Sequence, residues 1–133
     1  MNIFQRIYKL LGVETDKTEV FKLIENARTE YLIVLNNIES NLTAGELYGQ
    51  ANVIKSIAEN LLNNDYLKFI EEINSINMWG GSGAVWEVYF HNEDSQRRFH
   101  FDMLELIKLM EKTKILGNGI KPLRKLFKKE LSK

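Results

Sequence analysis

The sequence predicts an α+β fold: a predominantly helical single domain of about five to six helices, with one β-hairpin packed on them. Three observations carry that reading. Apolar residues recur at steps of three and four along most of the first half of the chain. The stretch Met78-Trp79-Gly80-Gly81-Ser82-Gly83-Ala84-Val85-Trp86 holds three of the eight glycines and both tryptophans. Immediately after it, the apolar period changes from about 3.6 to 2.

A short helix is expected over residues 3–11, where Ile3, Ile7, Leu10 and Leu11 share a face and Gly12 stops the run. A second helix begins after Asp16, with Glu19 reaching back as in a capping box. Its stripe of Val20, Ile24, Ala27, Tyr31, Val34/Leu35 and Ile38 predicts one buried face about five turns long. Asn41 to Gly45 reads as a break, and Thr43 with Glu46 as the next capping box. The third helix turns Leu47, Ala51, Ile54, Ile57/Ala58 and Leu61 inward. Asn63-Asn64-Asp65 ends it and caps a short fourth helix carrying Phe69, Ile70, Ile73 and Ile76. The short connections favour antiparallel neighbours.

The glycines at Gly80, Gly81 and Gly83 permit positive φ and close backbone approach, and the flanking indoles imply a turn held against the core. In Ala84 to Phe90, Trp86, Val88 and Phe90 alternate with Val85, Glu87 and Tyr89. His91 to Gln96 reads as a polar turn, and Arg97 to Phe101 alternates again, with Phe99 and Phe101 inward and Arg98 and His100 outward. That pattern predicts the hairpin, its aromatic face resting on the helices. Asp102 is expected to cap a fifth helix with Glu105, presenting Leu104, Ile107 and Met110 and ending at Gly117-Asn118-Gly119. Pro122 opens a last basic helix within residues 120–133, packed on the domain or trailing from it through Leu123, Leu126, Phe127 and Leu131.

The chain has 133 residues, enough for one core without staples, and no cysteine, which removes disulfides, thiolate metal sites and a Cys nucleophile. The N-terminal residues lack the apolar run of a signal peptide, so a cytoplasmic protein is expected. Zero net charge conceals segregation: residues 114–133 carry +6 and residues 1–113 carry −6.

Several groups invite a chemical reading. A glycine-rich turn can cradle an anion, but the nucleotide fingerprint needs strand, loop, helix, and here the order is helix, loop, strand. A structural turn is therefore the leading reading of Gly80 to Gly83, with an anion or nucleotide site as the alternative. Ser82 lacks the Gly-x-Ser-x-Gly context of a nucleophile elbow. The two histidines, His91 and His100, would assemble with Glu93, Asp94 and Asp102 into an acid–base or metal site only if the hairpin joins them, and their spacing matches no metal motif. No catalytic residue, metal or cofactor is expected. Lys121, Arg124, Lys125, Lys128 and Lys129 would suit nucleic acid or an anionic membrane surface, or else form a solvated face. The acids Glu71, Glu72, Glu87, Glu93 and Asp94 would steer a basic protein partner, with Tyr48 and Tyr89 as aromatic anchors.

The segment Trp79 to Trp86, preceded by Asn63-Asn64-Asp65 and a short helix, resembles small uncharacterised bacterial proteins with a Gly-Gly-x-Gly-Ser/Ala turn. Some of these are similar to immunity proteins of toxin systems. The resemblance, which spans about residues 45–110, implies a non-enzymatic module that occludes a toxin through an acidic face; it carries over no catalytic residue. The leading expectation is accordingly a protein-binding module, the alternative a small enzyme or anion-binding protein using the glycine turn and the histidines, and the third the basic helix on an anionic surface.

Overall fold

A computed structural model describes residues 17–133. Its helices are α1 (Lys17–Asn26), α2 (Arg28–Ala44), α3 (Tyr48–Leu62), α4 (Tyr66–Ile73), the single turn α5 (Ile76–Trp79), α6 (Glu93–Lys112) and α7 (Lys121–Leu131), with a 3-10 turn at Val85–Glu87. The expected residue 3–11 helix and the Asp16 cap lie outside the described residues.

The predicted stripes of α2, α3 and α4 are buried as expected: Tyr31, Leu35 and Ile38; Ala51, Ile54, Ile57 and Leu61; Phe69, Ile70 and Ile73. Ala27 interrupts the long second helix, its N–H shared between the carbonyls of Leu23 and Ile24. Arg28 at the start of α2 donates to the carbonyls of Leu61 and Leu62 at the end of α3, so these two run antiparallel. Lys112 meets Glu30 at one end of the α2–α6 pair and Asn41 donates to the Ser95 carbonyl at the other, so these are antiparallel too. The buried Tyr31 hydroxyl lies 2.7 Å from Thr113 Oγ1, whose own proton goes to the Leu109 carbonyl; Tyr31 is therefore the donor. Burial holds that phenol well above its ordinary pKa.

Three helices end in the same way. Glu46, Asn64 and Lys114 have φ of 61°, 59° and 63°. Each donates back to the last turn while the next residue's N–H closes the wider bond: Leu47 to Leu42, Asp65 to Asn60 and Ile115 to Met110, all at 2.9 Å. These are Schellman caps. The expected Thr43/Glu46 capping box is thus incorrect: Thr43 lies in the last turn of α2, and Glu46 is the left-handed residue that ends it. Asp65 does cap α4 as expected, accepting from the Lys68 N–H.

The α+β prediction is also incorrect. Among the described residues there is no strand and no hairpin. Val88 to Phe90 is extended without a ladder partner, and Arg97 to Phe101 lies inside α6. The run read as a polar turn is the helix start: Asn92 Oδ1 accepts from the Ser95 N–H at 3.0 Å, and Glu93 and Asp94 occupy the first turn, where the macrodipole favours acids. The five residues Arg97 to Phe101 alternate by chance; the longer run Phe99, Met103, Leu106 and Met110 has helical spacing and is buried. Consequently Phe99 is buried but Phe101 is 52% exposed, Val85 is buried and Trp86 and Val88 only partly so, and His100 is half-buried. Asp102 is not a cap but an interior residue of α6, and Glu105 pairs with Lys108.

The glycine turn joins α5 to the 3-10 turn. Gly83 takes φ of +88°, and Ala84 N–H closes the turn on the Gly81 carbonyl. Both indoles pin it, Trp79 Nε1 donating to the Ile73 carbonyl and Trp86 Nε1 to the Gly80 carbonyl. Buried Asn74 then clamps the α6–α7 connection, donating to Ile115 and accepting from the Gly117 N–H. Helix α7 docks antiparallel on α6 through Phe127, with Arg124 on Glu111 at one end and Arg97 on the Leu131 carbonyl at the other. One apolar cluster draws on every helix, from Val20 of α1 to Phe127 of α7. Among the described residues no helix is long and apolar enough to cross a membrane.

Candidate functional site

Helices α3 and α4 form an antiparallel pair whose outer surfaces leave a groove of about 380 Å³. Gly49, Asn52 and Ser56 line it from α3, Glu71 and Glu72 from α4, and Asn77 from α5. The sequence positions these groups simply: Phe69, Ile70 and Ile73 turn inward, which leaves Glu71 and Glu72 on the outward side of a two-turn helix. Glu72 is held in place, its Oε2 accepting from Ser56 Oγ at 2.8 Å. Both carboxylates are half-buried, a setting with less solvent screening than a free surface acid has.

Two large apolar side chains flank the groove in the chain. Tyr48, 58% exposed, precedes Gly49; Ile76, 82% exposed, sits between the lining residues Ser75 and Asn77. The start of α3 is further fixed by Gln50 Nε2, which donates to the Gly83 carbonyl at 3.1 Å and so ties the groove's end to the glycine turn.

Of the anticipated partner-binding residues, the fold brings Glu71 and Glu72 into this groove, while exposed Tyr48 precedes the lining residue Gly49 without itself lining it. Glu87, Tyr89, Glu93 and Asp94 lie elsewhere, on the 3-10 turn, the extended segment and the first turn of α6, all exposed. His91 and His100 are not brought together as a pair across a hairpin: His91 packs edge-on against Tyr89 at 5.6 Å, and His100 against Phe127 at 5.5 Å. Among the described residues no group of three or more His, Asp or Glu side chains is placed to hold a metal. On α7, Lys121, Lys125, Lys128 and Lys129 are exposed, whereas Arg124 is engaged by Glu111.

Sequence reasoning missed Asn52, Ser56, Ser75, Asn77 and Ile76. The legible signal for the first two is a polar pair at i, i+4 on α3, a neighbouring position on one helix side. Ile76 was assigned to the buried stripe of α4, but α4 ends at Ile73 and Asn74 redirects the chain.

Compared with protein-family models, with curated proteins and with solved structures, the chain matches none of them.

Proposed function

We propose that the chain is a non-enzymatic protein-binding module that takes a basic segment of another protein in the α3–α4 groove. The observation that carries this reading is the placement of Glu71 and Glu72 in one concavity with Asn52, Ser56 and Asn77; exposed Tyr48 and Ile76 are chain neighbours of its lining residues. Paired carboxylates on a polar wall select a Lys- or Arg-bearing segment, while an exposed aromatic and an aliphatic side chain supply the apolar contact area that concentrates binding energy. In its most specific form, an immunity-like occlusion of a toxin, the reading rests on the resemblance of the Trp79 to Trp86 segment, the acids standing in for a toxin's anionic substrate.

The test is affinity capture from the source cell, followed by binding rates for the purified partner. Glu71→Lys with Glu72→Lys should slow association, and added salt should shrink the difference. Tyr48→Ala should instead speed dissociation, at a cost of about 2 kcal/mol for an anchor residue. Association that ignores the double charge reversal removes the groove from the interface. Turnover of a substrate by the purified chain, abolished by His100→Ala, would favour the enzyme alternative.

A further inference from the structure

A second groove, of about 440 Å³, runs between α2 and α6. Asn37, Ser40 and Asn41 form one wall, and Arg98, Phe101 and Asp102 the other. Asp102 is only 5% exposed and its Oδ2 has no hydrogen-bond partner. Buried carboxylate oxygens in folded proteins are almost always paired, because desolvating one without a partner costs several kcal/mol (roughly 2–7 for a polar group, more for a charge). Burial pushes this carboxyl up to about 6, Arg98 pulling it down and Glu105 pushing it further up.

Arg98 lies one turn earlier on α6, on the same side of the helix, about 5–6 Å away between Cβ atoms for an i, i+4 pair. Yet it forms no ion pair with Asp102, nor with any other carboxylate among the described residues. A cation and an anion thus share one concavity without a direct ion pair, Arg98 acting on Asp102 only through space. A lone cationic ligand would meet Asp102 but be repelled by Arg98, and a lone anion the reverse. A molecule carrying both charges a few bonds apart satisfies both. Ser40 and Asn37 add hydrogen-bonding groups on the facing wall. Phe101, 52% exposed, offers an apolar surface for the remainder of such a ligand. The volume falls within the roughly 300–1,000 Å³ of small-molecule sites.

We infer that the α2–α6 groove binds a free α-amino acid with an apolar side chain, its ammonium on Asp102, its carboxylate on Arg98 and its side chain on Phe101. This site is separate from the α3–α4 groove and stands whether or not that groove takes a protein.

The experiment is calorimetric titration of the full chain with leucine and phenylalanine, alongside isoamylamine as an amine-only probe and isocaproate as an acid-only probe. The zwitterions should bind about tenfold or more tightly than either single-charge probe, a difference of ~1.4 kcal/mol or greater. Asp102→Asn preserves shape and removes the buried charge, so the variant should melt at or above the temperature of the parent while losing amino-acid binding. Arg98→Gln, at an exposed position, should keep the fold and also lose binding. Absence of heat and of any melting-temperature shift with both amino acids, or affinity unchanged in both variants, overturns the assignment. Binding of isoamylamine as tight as that of leucine also overturns it, since Arg98 then takes no part.

Discussion

Helix α6 takes two ionisable side chains out of water, two residues apart, and treats them in opposite ways. On the flank facing α7, His100 is enclosed and partnered. The Phe90 N–H donates to Gln96 Oε1 at 2.7 Å, which turns the Gln96 amide nitrogen toward His100 Nε2 at 2.9 Å. The amide donates, so His100 Nε2 accepts and the ring proton sits on Nδ1. Phe99 and Phe127 complete the enclosure. On the flank facing α2, Asp102 is more deeply buried; its Oδ2 is enclosed without a hydrogen-bond partner, and the residue lines the α2–α6 groove. The difference separates structure from site. A buried polar group whose lone pairs are all accounted for is part of the scaffold; one left over calls for a further account, which the proposed amino-acid ligand would supply.

The hardest way to break this comparison is through the aromatic residue that immediately precedes the two groups. Phe99 is fully buried and packs on Phe90 at 5.4 Å. Phe99→Ala should cost about 3–5 kcal/mol, as a core truncation. Phe101→Ala, two positions on and half-exposed, should cost under about 1 kcal/mol and act on the α2–α6 groove instead. Denaturant melts of the two variants check this, and equal losses would mean that the two flanks of α6 are packed alike.

The glycine turn sharpens the same lesson at backbone level, because its three glycines are not equivalent. A Cβ on Gly80 would lie 2.5 Å from the Ile76 carbonyl oxygen, and Gly83 sits at φ +88°, whereas a Cβ on Gly81 meets nothing. Gly80→Ala should therefore cost about 2 kcal/mol or more, within the range of strained single substitutions. Gly83→Ala should cost about 1–2 kcal/mol for its left-handed backbone. Gly81→Ala should be neutral to slightly stabilising, by up to about 0.5 kcal/mol, through the unfolded chain. Thermal melts that rank Gly81→Ala with the other two would contradict the turn geometry.

Legibility followed the length of the pattern. The stripes of α2, α3 and α4 persist for several turns, so Tyr31, Leu35 and Ile38, or Ile54, Ile57 and Leu61, identify their helices without ambiguity. Arg97 to Phe101 is too short to separate period 2 from period 3.6, and strand propensity in its aromatics tilts the reading toward a hairpin. Starting the helix at Asp102 instead of Glu93 makes that residue a solvated cap. Only when Asp102 is set in the stripe with Phe99 and Met103 does an acid in an apolar face become visible, and with it the α2–α6 groove. Glu71 and Glu72 are legible as polar groups on the outer side of α4, but Asn52 and Ser56 of α3, which complete the groove around them, are brought there by tertiary packing.

The smallest effect expected lies in the pH dependence of the two α6 groups. Asp102 has a folded pKa near 6 against an ordinary 3.8, so the folded state binds its proton more tightly. Its contribution should be most favourable at low pH and be lost as pH rises through that window. His100 runs the other way: burial lowers its pKa from 6.5, with Glu130 partly restoring it. The unfolded chain then binds the proton more readily, so stability should fall on acidification below 6.5. Protonation would also set two donors against each other at Gln96 and His100. Gln96→Glu tests this directly, since a carboxylate there can still accept from the Phe90 N–H and welcomes an imidazolium. NMR titration should show the His100 pKa rising in that variant, and the acid-side loss of stability shrinking. An unchanged His100 titration would mean that the ring does not accept from Gln96, and the partnered flank of α6 would then resemble the orphaned one.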